Sequence, residues 1–293
     1  MRHRNFLAIL SLITGLLAGL GIAQPQNSAM AEPVDAYASV TEGINYQWVN
    51  DPLSQFMALT PGMVLHRING SWFNAPDVPL EAQSWAEQGK SLFGPSTPIF
   101  VGNHTICTLA VTGLDAAGNK IGITAGHCGT TGDIVQSADT WRAGGRGVVV
   151  HQNQQLDYSI IRFDKNSVIS NAYNGAVVTS LGGGVGDGAV VCKQGIATGR
   201  TCGPSLTTQG QTNWSHVCAM QGDSGAGLVD GGRLIGIVRG AMFSGMACSS
   251  PVQGIMFSPL MSTGIDTILA DIATLPDGTP GRGFQLVDAP TAQ

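Results

Sequence analysis

Charge is what this sequence has least of. Only 11% of its 293 residues are Asp, Glu, Lys or Arg, against 43% apolar, and the formal net charge is −5. A chain this apolar folds around a core and is not a disordered polyelectrolyte. Its acidic balance argues against nucleic acid as a partner. Glutamate does not occur after Glu87, and beyond Lys90 the only lysines are Lys120, Lys165 and Lys193. Good helix formers are therefore missing from most of the chain. No Cys-x-x-Cys pair and no His-Glu-x-x-His motif occurs, which removes the common zinc patterns, and no metal is expected. After Ala23 no apolar run is long enough to cross a bilayer.

What is present begins with a leader. Arg2, His3 and Arg4 precede an apolar run from Phe6 to Ala23, and Ala29-Met30-Ala31 has the small-x-small form cut by signal peptidase. Residues 1–31 are expected to be a signal peptide, with an uncleaved anchor helix as the other reading. Loss of Arg2 and Arg4 with the leader makes the remainder more acidic still. A secreted or cell-envelope location follows, with no stable membrane insertion after cleavage. Cys107, Cys128, Cys192, Cys202, Cys218 and Cys248 all lie beyond the leader, and an even count in an exported chain favours disulfides over a metal site.

Composition changes near Pro95. Residues 32–97 hold every glutamate of the chain, with Trp48, Trp72 and Trp85, whereas most of the 41 glycines lie after them. Short apolar or alternating runs at 120–124, 147–150, 158–163, 189–191 and 234–238, set among glycines, predict many strands joined by tight turns. Near the end, Ile265, Ile268, Leu269 and Ile272 recur at helical spacing. Ser262 or Thr263 is placed to cap this helix and Pro276 to close it. Residues 277–293, rich in Gly, Pro and small side chains, read as a flexible tail. The glycine run 182–188 lacks Gly-x-Gly-x-x-Gly spacing and reads as a surface loop between two halves.

Three short stretches carry chemistry. Gln221-Gly222-Asp223-Ser224-Gly225-Ala226-Gly227 places a hydroxyl and a carboxylate among residues with almost no side chain. A serine hydroxyl becomes a nucleophile only when a neighbouring base takes its proton, and that base must be held in one tautomer by a third group. His127 ends a strand in Thr124-Ala125-Gly126-His127-Cys128, and Asp157 stands at the mouth of the run 158–163. A carboxylate there is costly without a partner, which the imidazole N–H of His127 supplies. Nearby backbone amides are the alternative partner.

In this order, Thr124-Ala125-Gly126-His127-Cys128, Leu156-Asp157-Tyr158-Ser159 and Gly222-Asp223-Ser224-Gly225 resemble the three catalytic motifs of the chymotrypsin-like serine proteases, especially their secreted bacterial branch. The resemblance covers roughly residues 98–275. It implies two six-stranded antiparallel β-barrels in an all-β protease domain over 98–276, the first over about 98–181 and the second over about 189–262, then a helix over about 263–275. It implies a triad of His127, Asp157 and Ser224, an oxyanion hole made by the amides of Gly222 and Ser224, and an ion pair between Lys193 and the buried Asp223. A solvated Lys193 is the alternative. Disulfides Cys107–Cys128, Cys192–Cys202 and Cys218–Cys248 follow from the same likeness. So does a substrate wall formed by Val238, Arg239, Gly240 and Ala241 over a pocket floored by His216.

Three features depart from the family, the smallest being Ala226 where a second glycine after Ser224-Gly225 is commoner. His216 is neither of the usual floor residues, and Arg239-Gly240-Ala241 stands where relatives have Ser-Gly-Gly. Residues 32–97 fall outside the likeness and read as a propeptide released between Leu92 and Ile99, or as an attached N-terminal extension. The expected activity is that of a serine endopeptidase acting on proteins or peptides as a monomer, with no cofactor. A catalytically silent binding protein on the same fold is the alternative, and an esterase a lesser one.

Overall fold

A computed structural model describes residues 78–102, 105–243, 246, 248, 256–288 and 290. The expected signal peptide and most of the segment 32–97 lie outside the described residues.

Two antiparallel barrels dominate. In the first, neighbouring strands run in the order Val111–Leu114, Lys120–Ala125, Tyr158–Phe163, Arg146–Asn153, Ile134–Ser137, Pro98–Val101 and Thr105–Thr108. The first and last of these are halves of one kinked segment, so six strands close on themselves. At the kink the N–H groups of Leu109 and Ala110 donate to Thr97 and Ile123, each at 2.9 Å. Ile99, Leu109, Val135, Val149, Ile161 and Phe163 fill the interior, placed there by strand alternation.

The second barrel runs Arg233–Ala241, Gly227–Asp230, Val190–Gly195, Gly199–Gln209, Thr212–Ser215 and Leu260–Gly264, and the last strand pairs back with the first. Full closure removes unpaired strand edges. Between the barrels, Ala110, Ile121, Ile123 and Tyr158 of the first meet Leu234 and Ile237 of the second and Ile265, Ile268 and Ile272 of the final helix. This shared apolar layer fixes one barrel against the other, and with them the turns that face each other across the cleft.

Three boundaries differ from the sequence expectation. The final helix is Ile265–Thr274, capped by Gly264 with no side-chain bond. Ser262 and Thr263 cannot cap it because they belong to a barrel strand. There the Thr263 hydroxyl donates to the Leu156 carbonyl at 2.7 Å.

Residues 277–288 are not a loose tail. Gln285–Leu286 pairs with Val111–Leu114, and Val287 enters the first core. The Gly281 amide donates to Asp115 at 3.0 Å. Phe284 and Leu286 pack against the layer between the barrels, a contact carried by too few residues to show a period in the sequence.

Residues 78–97 join the first barrel. Leu80–Ala86 is a helix, and Ser91–Phe93 pairs in parallel with Ser167–Ile169. Phe93 stacks on Phe163 at 4.3 Å, and Leu92 packs with Val78, Ala82, Val168 and Tyr173.

Candidate active site

His127 sits on a single turn of 3-10 helix, Gly126–Cys128, where the strand Lys120–Ala125 leaves the barrel. The turn is held from below by Gln152, whose amide donates to the Gly126 carbonyl at 2.6 Å, and from the side by the Cys107–Cys128 disulfide. The imidazole is therefore aimed by its backbone. Its Nδ1 lies 2.9 Å and 3.1 Å from the two carboxylate oxygens of Asp157, and the His127 main-chain N–H donates to Oδ1 at 2.7 Å. An ionised carboxylate only accepts, so Nδ1 carries the proton and Nε2 is left with a lone pair directed elsewhere.

Asp157 is held in place by its surroundings. Its backbone is left-handed, with φ at 53°, a conformation Asp tolerates better than most residues. The preceding turn is tied by Asn153 Oδ1, which accepts the amides of Gln155 and Leu156, each at 3.0 Å. Burial pushes the Asp157 carboxyl up. Hydrogen bonds from the ring and main chain of His127, with the charges of His127 and Arg239, more than reverse this and hold it below the ordinary carboxylate range.

Ser224 lies on the turn before Gly227–Asp230, close against the first barrel. Its carbonyl accepts the Thr108 N–H at 2.9 Å, and the Thr108 hydroxyl donates to the Gly222 carbonyl at 2.8 Å. Thr108 adjoins Cys107, whose disulfide ends beside His127, so three covalent and hydrogen-bonded steps connect the two turns. Gly225 explains part of the missing side chains. Its φ is 84°, and a Cβ there would fall 2.0 Å from the Thr124 hydroxyl and 2.4 Å from the Thr108 carbonyl, so only glycine lets the turn approach this closely. Among the described residues, the N–H groups of Gly222 and Ser224 meet no acceptor, and no hydrogen bond joins Ser224 Oγ to His127.

Asp223 points inward. Its carboxylate is 3.1 Å from Lys193 Nζ, and both side chains are fully buried. The same carboxylate accepts the N–H groups of Ala197, Thr198 and Met220 and the Thr198 hydroxyl. Lys193 donates to the Thr198 hydroxyl oxygen and to the Gly199 carbonyl. Thr198 thus bridges the pair, a role no motif signals. Burial pulls the Lys193 ammonium down from its usual range, against the opposing pull of Asp223.

Cys192–Cys202 and Cys218–Cys248 are both bonded. His216 stacks face to face on Phe257 at 4.1 Å, a partner the sequence reading missed. Phe257 lies beyond Cys248, outside the three catalytic-type motifs. Val238 is buried, while Arg239, Gly240 and Ala241 are partly exposed along their strand. The Arg239 side chain is turned toward Asp157, with Nε 3.8 Å from Oδ2.

No family model and no curated protein matches the sequence. Among solved structures, the protein is similar to protease A of Thermobifida fusca, at 22% identity over 68% of this chain and 100% of that one, with a TM-score of 0.51. The chymotrypsin of Cellulomonas bogoriensis is 20% identical over 68% of this chain and 100% of its own, with a TM-score of 0.48. With two closed antiparallel barrels and one closing helix, the chain has the chymotrypsin-like fold.

Proposed function

We propose that the protein is a secreted serine endopeptidase working through His127, Asp157 and Ser224. The observation that carries this reading is the orientation of His127. Asp157 engages Nδ1 from one side, which leaves Nε2 as the free base on a turn tied to that of Ser224. In the reaction, Ser224 Oγ bonds to the scissile carbonyl carbon as its proton passes to Nε2. The carbonyl π pair moves to oxygen, where the unengaged amides of Gly222 and Ser224 receive it. Nε2 then returns the proton to the leaving amine, and water repeats the sequence on the acyl-enzyme. Extended substrate is expected to add as a strand beside Val238–Ala241.

A fluorophosphonate probe tests the reading directly. Covalent labelling at Ser224, lost in Ser224→Ala, is the expected result. The missing hydrogen bond between Ser224 Oγ and His127 favours the rival, a silent binding protein. Catalytic contacts are often loose without substrate, and an unlabelled protein would decide for the binder.

Processing belongs to the same reading. Burying Leu92 and Phe93 contributes roughly 1.5–3 kcal/mol each, a large share of the roughly 5–15 kcal/mol that a domain has in all. Release between Leu92 and Ile99 would discard that, so we place the cut upstream of Val78. The mass of the protein in culture supernatant is expected to include residues 78–97. A chain started at Ile99 is expected to lose most of its soluble yield.

A further inference from the structure

The strand Arg233–Ala241 carries a bulge. Val238 faces Ser262 and Gly240 faces the adjacent Met261, leaving Arg239 as the extra residue between them. A bulge bends its strand and re-aims the side chain it carries. Here it turns Arg239 out of the wall and across the cleft to Asp157. Nε stands 3.8 Å from Oδ2, the oxygen that also lies 2.9 Å from His127 Nδ1. The carboxylate side chain is 12% exposed and the arginine 28%, so water screens the contact only in part.

We propose that Arg239 is a positioning residue of the triad, holding the same Asp157 oxygen that meets His127 and opposing protonation of the imidazole, so that the base stays free in mildly acidic surroundings. This rests on the triad reading. A carboxylate alone favours the imidazolium, whereas a fixed cation on the same oxygen cancels part of that field. Other titratable groups surround the turn. Asp133 lies beyond Gly129 and accepts the Thr130 N–H at 2.7 Å. His151 is tilted against Tyr158 at 5.8 Å. Asp271 accepts the Tyr158 hydroxyl at 2.5 Å and the Asn153 amide at 2.8 Å. None of these touches Arg239, so a change at 239 isolates the guanidinium.

The test is a proton NMR titration of His127 in the full chain, assigned by the resonance missing from His127→Ala, in wild type, Arg239→Gln and Arg239→Lys. The midpoint is expected to rise by about half a pH unit or more in Arg239→Gln, with Arg239→Lys falling between the two. With a peptide substrate, the ratio of kcat/KM at about pH 5.5 to that at about pH 8 is expected to fall about threefold or more in Arg239→Gln. An unmoved midpoint overturns the proposal, as does a uniform loss of rate at every pH, which is what a merely structural arginine would produce. The titration needs no turnover. A protein that shows the shift but takes no probe at Ser224 keeps the Arg239 effect and loses the protease reading.

Discussion

Ser224→Ala is expected to lower kcat/KM by roughly 10⁴-fold to 10⁶-fold while leaving the unfolding midpoint nearly unchanged. The two halves of this result have separate causes. The hydroxyl makes no hydrogen bond among the described residues, so removing it leaves no buried group unsatisfied and takes away no packing of consequence. Its whole effect falls on the step in which Oγ attacks carbon.

Asp157→Asn is expected to cost about 10⁴-fold in kcat, by another route. The amide oxygen of the variant can still accept the His127 N–H now held at 2.7 Å, so the turn survives. Its NH₂ group then faces Nδ1, which must become an acceptor, and the proton moves to Nε2 where the free base is needed. Combining Ser224→Ala with Asp157→Asn should cost little more than Ser224→Ala alone, since parts of one unit do not add. Single-turnover kinetics on a peptide ester, with denaturation midpoints in parallel, would separate these effects. Retained turnover in Ser224→Ala would remove Ser224 from the chemistry.

How much of this was legible in the sequence depends on what each feature is made of. The barrels are legible because a strand half-buried in a closed sheet must alternate or be apolar throughout, as 158–163 and 234–238 are. His127 and Ser224 are legible because each stands where a strand meets a turn, beside glycine or cysteine, and Asp157 because it stands at the mouth of the strand Tyr158–Phe163. The segment Ser91–Phe93 and the strand Gln285–Leu286 are held by backbone pairing together with a few apolar side chains, Leu92 and Phe93 in one and Leu286 and its neighbour Val287 in the other. Two or three apolar residues are too few to show a period, and main-chain hydrogen bonds have no residue signature, so one end of the body reads as removable and the other as loose. Arg239 was visible as an oddity but not as a neighbour of Asp157. That contact depends on a bulge, and a bulge is set by how Val238 and Gly240 register against the strand Leu260–Gly264. The stack of His216 on Phe257 was hidden for a similar reason, since it joins segments on either side of Cys248.

Lys193→Met is expected to destabilise the fold by about 3–5 kcal/mol, because it leaves the Asp223 carboxylate buried without its cation. For a domain of this size that corresponds to a fall of roughly 10 °C in Tm. Asp223→Leu is expected to cost more. Asp223 accepts three main-chain N–H groups and one hydroxyl besides the ammonium, and an apolar side chain satisfies none of them. Each orphaned donor adds about 1–3 kcal/mol.

The double variant should therefore not return to wild-type stability, unlike a buried pair whose members serve only each other. This asymmetry ties stability to chemistry. The donors from Ala197, Thr198 and Met220 converge on the residue between Gly222 and Ser224, so the carboxylate is the peg on which both amides of the expected oxyanion site are hung. Lys193→Met that still folds is accordingly expected to lose kcat with KM little changed, because those amides matter most when charge develops on the carbonyl oxygen. Urea unfolding of the variants and their kinetics on one substrate check both statements. A Lys193→Met protein with unaltered unfolding would show that this buried pair contributes nothing.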